Sequence, residues 1–140
     1  MKPATHPSLL DQCLHISAVH ARLQLALDEE LGTFHGLSYA DFLLLRHLIR
    51  AQDQRVPMAQ LATGLGLRLS ALLRQILPLE KTGWVERDGQ AGQPGQRHVQ
   101  LRPAARQVVT NATETAQAVC ERLAPSLGAL VAVAVSDQQA

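Results

Sequence analysis

Three sets of side chains in the 140-residue sequence have chemistry to offer. The first is Arg68, Ser70, Arg74 and Gln75, polar residues crowded into one short stretch. Arginine and glutamine can hydrogen-bond bidentately to the edges of guanine and adenine, and serine can touch a phosphate or cap a helix. The second set is His15, His20, His35 and His47 with Tyr39. Imidazole hydrogen-bonds when neutral, pairs with anions when protonated, and ligates metals. His15 and His20 are five residues apart, which turns them ~140° away from each other on a helix, so no metal site is expected within one chain. The third set is Cys13 and Cys120, widely separated and without a C-x-x-C pattern. That spacing fits a reducing compartment and argues against a disulfide scaffold or a zinc finger. The sequence has no Gly-rich phosphate loop, nucleophile elbow, carboxylate pair at helical spacing or H-E-x-x-H, so neither catalysis nor a cofactor is expected.

The elements that must position these groups are mostly helical. Apolar residues recur every three or four positions from Leu9 to Leu31, predicting a long first helix from Ser8 with Gly32 as its stop. Ser38 with Asp41 three residues on approximates a capping box for a second helix that ends near Ala51, followed by a polar loop, Gln52 to Arg55. Pro57 suits the first turn of a short third helix closed by Gly64 and Gly66. A fourth runs from Arg68 to Thr82 with Gly83 placed for its C-terminal cap, and Pro78 predicts a kink or loosening around Arg74. The period then changes. Trp84 to Arg87 and His98 to Leu101 read as the strands of a hairpin around a Gly-rich tip, and Pro103 opens a fifth helix closed by Pro125.

The third and fourth helices form a helix-turn-helix, which places its second helix in the major groove with the N-terminal half against base edges. That half carries Arg68, Ser70, Arg74 and Gln75. The fold class predicted is therefore mainly α with a small β-hairpin wing: a winged helix-turn-helix lobe over residues 36–102, flanked by helical regions over 1–35 and 103–140.

Charge agrees with that division. The whole chain sums to +1, but Arg46 to Arg106 holds ten basic against four acidic side chains, +6, while the remainder is −5. A basic middle of this kind is the footprint of phosphate-backbone contact, against the plainer reading of arginines solvating helix faces. The segment Leu127 to Val135 is apolar on nearly every side, helix or strand alike, and a small domain rarely hides such a terminus without a partner. The two chain ends are thus expected to build a homodimer. No apolar stretch reaches the ~20 residues that span a bilayer, and Met1 to Pro7 lacks an apolar core, so no membrane partner and a cytoplasmic location are expected.

Four segments, Gly36-Leu-Ser-Tyr-Ala-Asp-Phe-Leu-Leu-Leu45, Leu61-Ala-Thr-Gly-Leu-Gly-Leu-Arg-Leu-Ser70, Leu79-Glu-Lys-Thr-Gly-Trp-Val-Glu-Arg87 and Arg97-His-Val-Gln-Leu101, together resemble the MarR family of bacterial transcription regulators over roughly residues 8–126. The resemblance implies a homodimer of winged-helix lobes binding double-stranded DNA at a palindromic operator, usually as a repressor. By position, Ser70 and Arg74 match polar residues of the family's recognition helix, and Arg97 matches the wing arginine that enters the minor groove. The expected DNA-contacting set is Arg68, Ser70, Ala71, Arg74, Gln75 and Arg97. Two departures stand out: Gly95 where the family commonly has an acid bracing that arginine, and Leu72-Leu73 where it often has a polar residue.

The same resemblance implies release from DNA by a small, often phenolic or anionic effector held between the dimer helices and the lobe. His15, His20, His35 and Tyr39 are the expected contacts, with His47 nearby. Cys13 with Tyr39 also resembles the family's peroxide-sensing branch, although Cys13 lies on the apolar stripe of its helix, where packing is the simpler role. Cys120 is read as packing. A competing function is a winged-helix protein–protein assembly module without specific DNA binding.

Overall fold

The computed structural model describes residues 8–89 and 97–127. Along the chain these form α1 (Leu9–His35), α2 (Tyr39–Ile49), β1 (Arg55–Pro57), α3 (Met58–Leu65), α4 (Leu69–Thr82), β2 (Val85–Asp88), β3 (His98–Leu101) and α5 (Pro103–Leu127). A 3-10 turn, Gln52–Gln54, joins α2 to β1. The apolar segment read from Leu127 to Val135 lies, after its first residue, outside the described residues, as do the hairpin tip and Gly95.

Ser8 starts α1 by a full capping box: its hydroxyl accepts the Asp11 N–H at 3.1 Å while the Asp11 carboxylate accepts the Ser8 N–H at 3.4 Å. The helix does not stop at Gly32 as the sequence suggested. It continues one more turn to Gly36, which adopts φ 65°, and the N–H groups of Gly36 and Leu37 donate back to the carbonyls of Gly32 and Leu31. Glycine inside a helix costs only about 1 kcal/mol relative to alanine, whereas the left-handed cap needs a residue without Cβ strain, so the stop falls at the second glycine. Ser38 caps α2 by accepting the Asp41 N–H at 3.0 Å.

Both helical prolines lie inside their elements, Pro78 as expected and Pro125 against the expected stop. The α4 helix runs as one element through Pro78 to a left-handed cap at Gly83, with Leu79 buried beyond the proline. The α5 helix continues past Pro125 to Leu127, whose side chain is buried. In each case an apolar side chain packed beyond the proline offsets the missing backbone hydrogen bond.

The sheet has a strand that the sequence reading took for loop and helix start. Its order is β1-β3-β2, antiparallel throughout, with Val56 opposite Val99, Pro57 opposite His98, and Val85 opposite Leu101. Asp53 and Gln54, at φ 57° and 54°, reverse the chain so that Val56 enters the core, and Pro57 ends an edge strand instead of opening α3. The strand β2 begins at Val85, one residue later than read, because the Trp84 N–H already bonds the Leu79 carbonyl at the end of α4.

One core serves all these elements. Leu45 and Leu48 of α2, Leu61 of α3, Leu72 and Ile76 of α4, Val99 of β3 and Val109 of α5 are all fully buried within it. Burial of each such side chain is worth roughly 1.5–3 kcal/mol. On the other side α1 packs along α5, and Leu27 and Leu31 join the core. The N-terminal half of α1 does not: Leu9, Leu10, Leu14 and Ile16 are 77%, 65%, 58% and 51% exposed.

Candidate nucleic-acid interface

The N-terminal half of α4 projects from the lobe. Arg68, Ser70 and Arg74 are exposed, Ala71 is half-buried, and Leu72 on the opposite face is fully buried. The Leu72 of the departing Leu-Leu pair is therefore a core residue and not a readout position, which leaves only the half-buried Leu73 near the outer face. Arg68 occupies the N-cap of α4 and no side chain caps that end, so the first amides of the helix are open to an outside acceptor. A helix N-terminus with free N–H groups and a positive dipole end suits a phosphate. Gln75 is held differently from its neighbours. Its amide Nε2 donates to Asp41 Oδ1 at 3.4 Å, tying α4 back to α2.

Arg97 stands at the root of the wing. Its carbonyl accepts the Met58 N–H at 2.8 Å, joining the wing to the first turn of α3, and its Nε is buried with no hydrogen-bond partner among the described residues. The wing root is braced from below by Arg55, whose Nε and second guanidinium nitrogen lie 3.0 and 3.1 Å from the Asp88 carboxylate. On the inner side Arg87 Nε meets Glu80 Oε1 of α4 at 2.9 Å. Arg46, Arg50, Arg68, Arg74, Lys81, Arg97 and Arg102 have no carboxylate partner among the described residues. Two acids of the lobe, Glu80 and Asp88, thus brace the hairpin, while Arg68 and Arg74 of α4 have no carboxylate partner among the described residues.

The expected effector residues separate into three environments. His20 and Tyr39 come together, ring centroids 6.2 Å apart and inclined at 55°, and with Gln24, Ala40, Leu43, Leu65, Leu67 and Gln75 they line a cavity of about 210 Å³ between α1, α2 and α4. His35 is instead bonded through Nε2 to Thr115 Oγ1 at 2.6 Å, joining α1 to α5. His15 is exposed on α1, away from both. Burial raises the Tyr39 pKa, with the nearby Cys120 and Asp28 adding to the shift, so the phenol keeps its proton. Asp28 also accepts the Tyr39 N–H at 2.6 Å.

Within one chain Cys13 does not reach the core: its thiol is exposed, on the same half of α1 as the exposed Leu10 and Leu14. Cys120 is the cysteine electrostatically coupled to Tyr39; partial burial raises its pKa, and Glu121 adds to this, which keeps it a thiol. Among the described residues no group of three or more His, Cys, Asp or Glu could hold a metal ion, and no helix is long and apolar enough to cross a membrane.

With this geometry in view, solved structures can be compared. AbsC, a MarR family transcriptional regulator from Streptomyces coelicolor, superposes with a TM-score of 0.75 at 22% identity, over 97% of this chain and 93% of its own. The chain has the fold of the MarR-family regulators. A second MarR family regulator from Streptomyces coelicolor, solved in complex with DNA, gives a TM-score of 0.71 at 20% identity over 99% and 93% of the two chains. CouR from Rhodococcus jostii RHA1, solved bound to p-coumaroyl-CoA, gives 0.75 at 19% over 92% and 89%. No family model matches the sequence, and no curated protein does. Within the MarR fold, α3 and α4 are the helix-turn-helix and β2–β3 the wing.

Sequence reasoning missed a second hollow of the lobe. Arg46, His47 and Arg50 on α2, with Ala51, Val56, Gln60, Gly64 and the shared wall Leu43 and Leu65, line a cavity of about 480 Å³. The signal was present: Tyr39, Leu43, Arg46 and Arg50 are spaced by four, three and four, one stripe of a helix.

Proposed function

We propose that the chain is a MarR-family transcription regulator that acts as a homodimer, recognises a palindromic operator through α4 and the wing, represses from it, and lets go when an effector binds. The observation that carries this reading is the outer face of α4, where Arg68 and Arg74 are exposed and without carboxylate partners among the described residues, while Glu80 and Asp88 are turned to bracing the wing. In the proposed roles Arg74 reads a base edge, Ser70, Ala71 and Arg68 lie against the backbone at the helix start, and Arg97 reaches the minor groove beside the recognition helix. Gln75 serves through its bond to Asp41, which orients α4, and through the cavity that it lines with Tyr39.

Residues 36–102 are the DNA-binding lobe in this reading, and residues 1–35 and 103–140 the dimerisation region. The exposed leucines at the start of α1 supply the apolar surface that a second copy would cover. The effector is a small apolar or phenolic molecule in the Tyr39 cavity, where the protonated phenol can donate a hydrogen bond.

The test is binding of the purified protein to the DNA upstream of its own gene, followed over a salt titration against random DNA. A strong preference for the upstream fragment and a steep, log-linear loss with salt are expected. Arg74→Ala should cost on the order of 1–3 kcal/mol on the operator and little on random DNA. Equal, weak binding to both fragments would instead assign the winged helix to protein–protein assembly.

A further inference from the structure

The two cavities of the lobe share a wall. Leu43 and Leu65 line both the Tyr39 cavity and the larger one beyond it. Along the groove the character changes in order: His20, Tyr39 and Ala40 at one end, Leu43 and Leu65 in the middle, Arg46, His47 and Arg50 at the other. The α2 face that forms the floor reads Tyr39, Leu43, Arg46, Arg50, so at 1.5 Å per residue the cations lie roughly 10 to 16 Å along the axis from the phenol.

The cationic end is unpaired. Neither guanidinium has a carboxylate or hydrogen-bond partner among the described residues, although four other charged pairs or bonded arginines in the lobe and its flanks find one. His47 is kept in the groove by close approach to α3: a Cβ at Gly64 would stand 2.8 Å from its Cε1 and 3.0 Å from its Nε2. Two fork-shaped donors and an imidazole around one hollow match a group with several anionic oxygens better than a single carboxylate, because each guanidinium can take two of them.

We propose that this groove binds a phosphorylated amphiphile, with an apolar or aromatic body in the Tyr39 cavity and a phosphate or diphosphate end held by Arg46, His47 and Arg50. This rests on the reading of the Tyr39 cavity as the effector site and extends it to a ligand class with a charged end about two helical turns from its apolar one. Neither cavity alone selects such a molecule. The apolar hollow would take any small phenol and the basic hollow any oxyanion, while one ligand passing over the Leu43 and Leu65 side chains that line both would combine the two binding free energies.

Isothermal titration of the full chain, without DNA, with geranyl diphosphate, geraniol and inorganic pyrophosphate tests this directly. Geranyl diphosphate should bind at least tenfold more tightly than either fragment. Arg46→Gln with Arg50→Gln should bring it down to the level of geraniol and leave geraniol itself unchanged. The exposed Arg50→Gln alone, checked by its thermal melt, serves if the double variant does not fold, and should lower geranyl diphosphate affinity severalfold. Geranyl diphosphate binding no tighter than geraniol, or tight binding that survives the arginine changes, would overturn the proposal. So would loss of DNA affinity with ligand binding intact, which would assign both arginines to the DNA backbone. Failure of the protein to bind its upstream DNA would sink the regulator reading and leave these titrations unaffected.

Discussion

At the scale of single residues, the pair Tyr39 and Cys120 shows how a modest local environment sets a whole-protein response. Both hold their protons more tightly in the folded chain than their ordinary values of 10.0 and 9.0, chiefly through burial. Above about pH 9 the native state therefore binds more protons than the unfolded chain, and stability falls as pH rises. Below pH 8 both groups are neutral in either state and contribute no slope. Thermal melts from pH 8 to 11 should show a falling midpoint, and Tyr39→Phe combined with Cys120→Ala should flatten that fall. Equal slopes for parent and variant would mean that other groups govern the alkaline limit. At this scale the sequence was a partial guide. Arg68, Ser70 and Arg74 could be placed on an exposed end of α4 because a helix-turn-helix dictates which end of its second helix is presented. Cys13 could be placed only on a face, because an apolar stripe states which face packs but not whether the same chain or a second copy covers it.

Elements were legible wherever a chemical signal had one solution. Ser8, Ser38, Gly66 and Gly83 all mark the boundaries that the structure has. Where two residues offered the same signal, tertiary packing chose between them: Gly32 and Gly36 could each end α1, and the turn that buries Leu31 put the stop at Gly36. The strand β1 has three residues, too few for a period, and exists because β3 offers a partner for Val56. The contact of α2 with α3 is a packing fact of the same kind. Gly64 lies inside α3 without a left-handed backbone, so alanine there should add about 0.5–1 kcal/mol of helix propensity. The His47 ring stands in the way of the new methyl. Gly64→Ala should accordingly stabilise the chain in a His47→Ala background and stabilise it less, or destabilise it, with His47 present. Chemical denaturation of the four-member cycle measures the coupling, expected at about 0.5 kcal/mol or more; additive effects would show that the two helices do not press together here.

Over the whole molecule, the near-neutral total conceals a basic middle and acidic ends, and the two halves should answer salt differently. In the proposed regulator, DNA binding by the +6 segment would release counterions and weaken as salt rises. In the proposed dimer, association of the −5 ends through the exposed leucines of α1 would be apolar, opposed by like charge, and should hold or strengthen. Light scattering is expected to find a dimer at both 0.1 M and 1 M salt, and a monomer for Leu10→Glu with Leu14→Glu. A dimer that survives those substitutions would place the interface elsewhere.

The bond from the Met58 N–H to the Arg97 carbonyl has a mechanical consequence. Because it ties Arg97, at the base of the wing, to the first turn of the helix-turn-helix, the wing root should travel with that motif as one jaw. In the proposed dimer the pair of jaws works as a calliper whose only free setting is its span, matched to half-sites about 34–36 Å apart. A ligand wedged between α1, α2 and α4 would then silence the protein by changing a distance, with every DNA-reading side chain still in its proper pose.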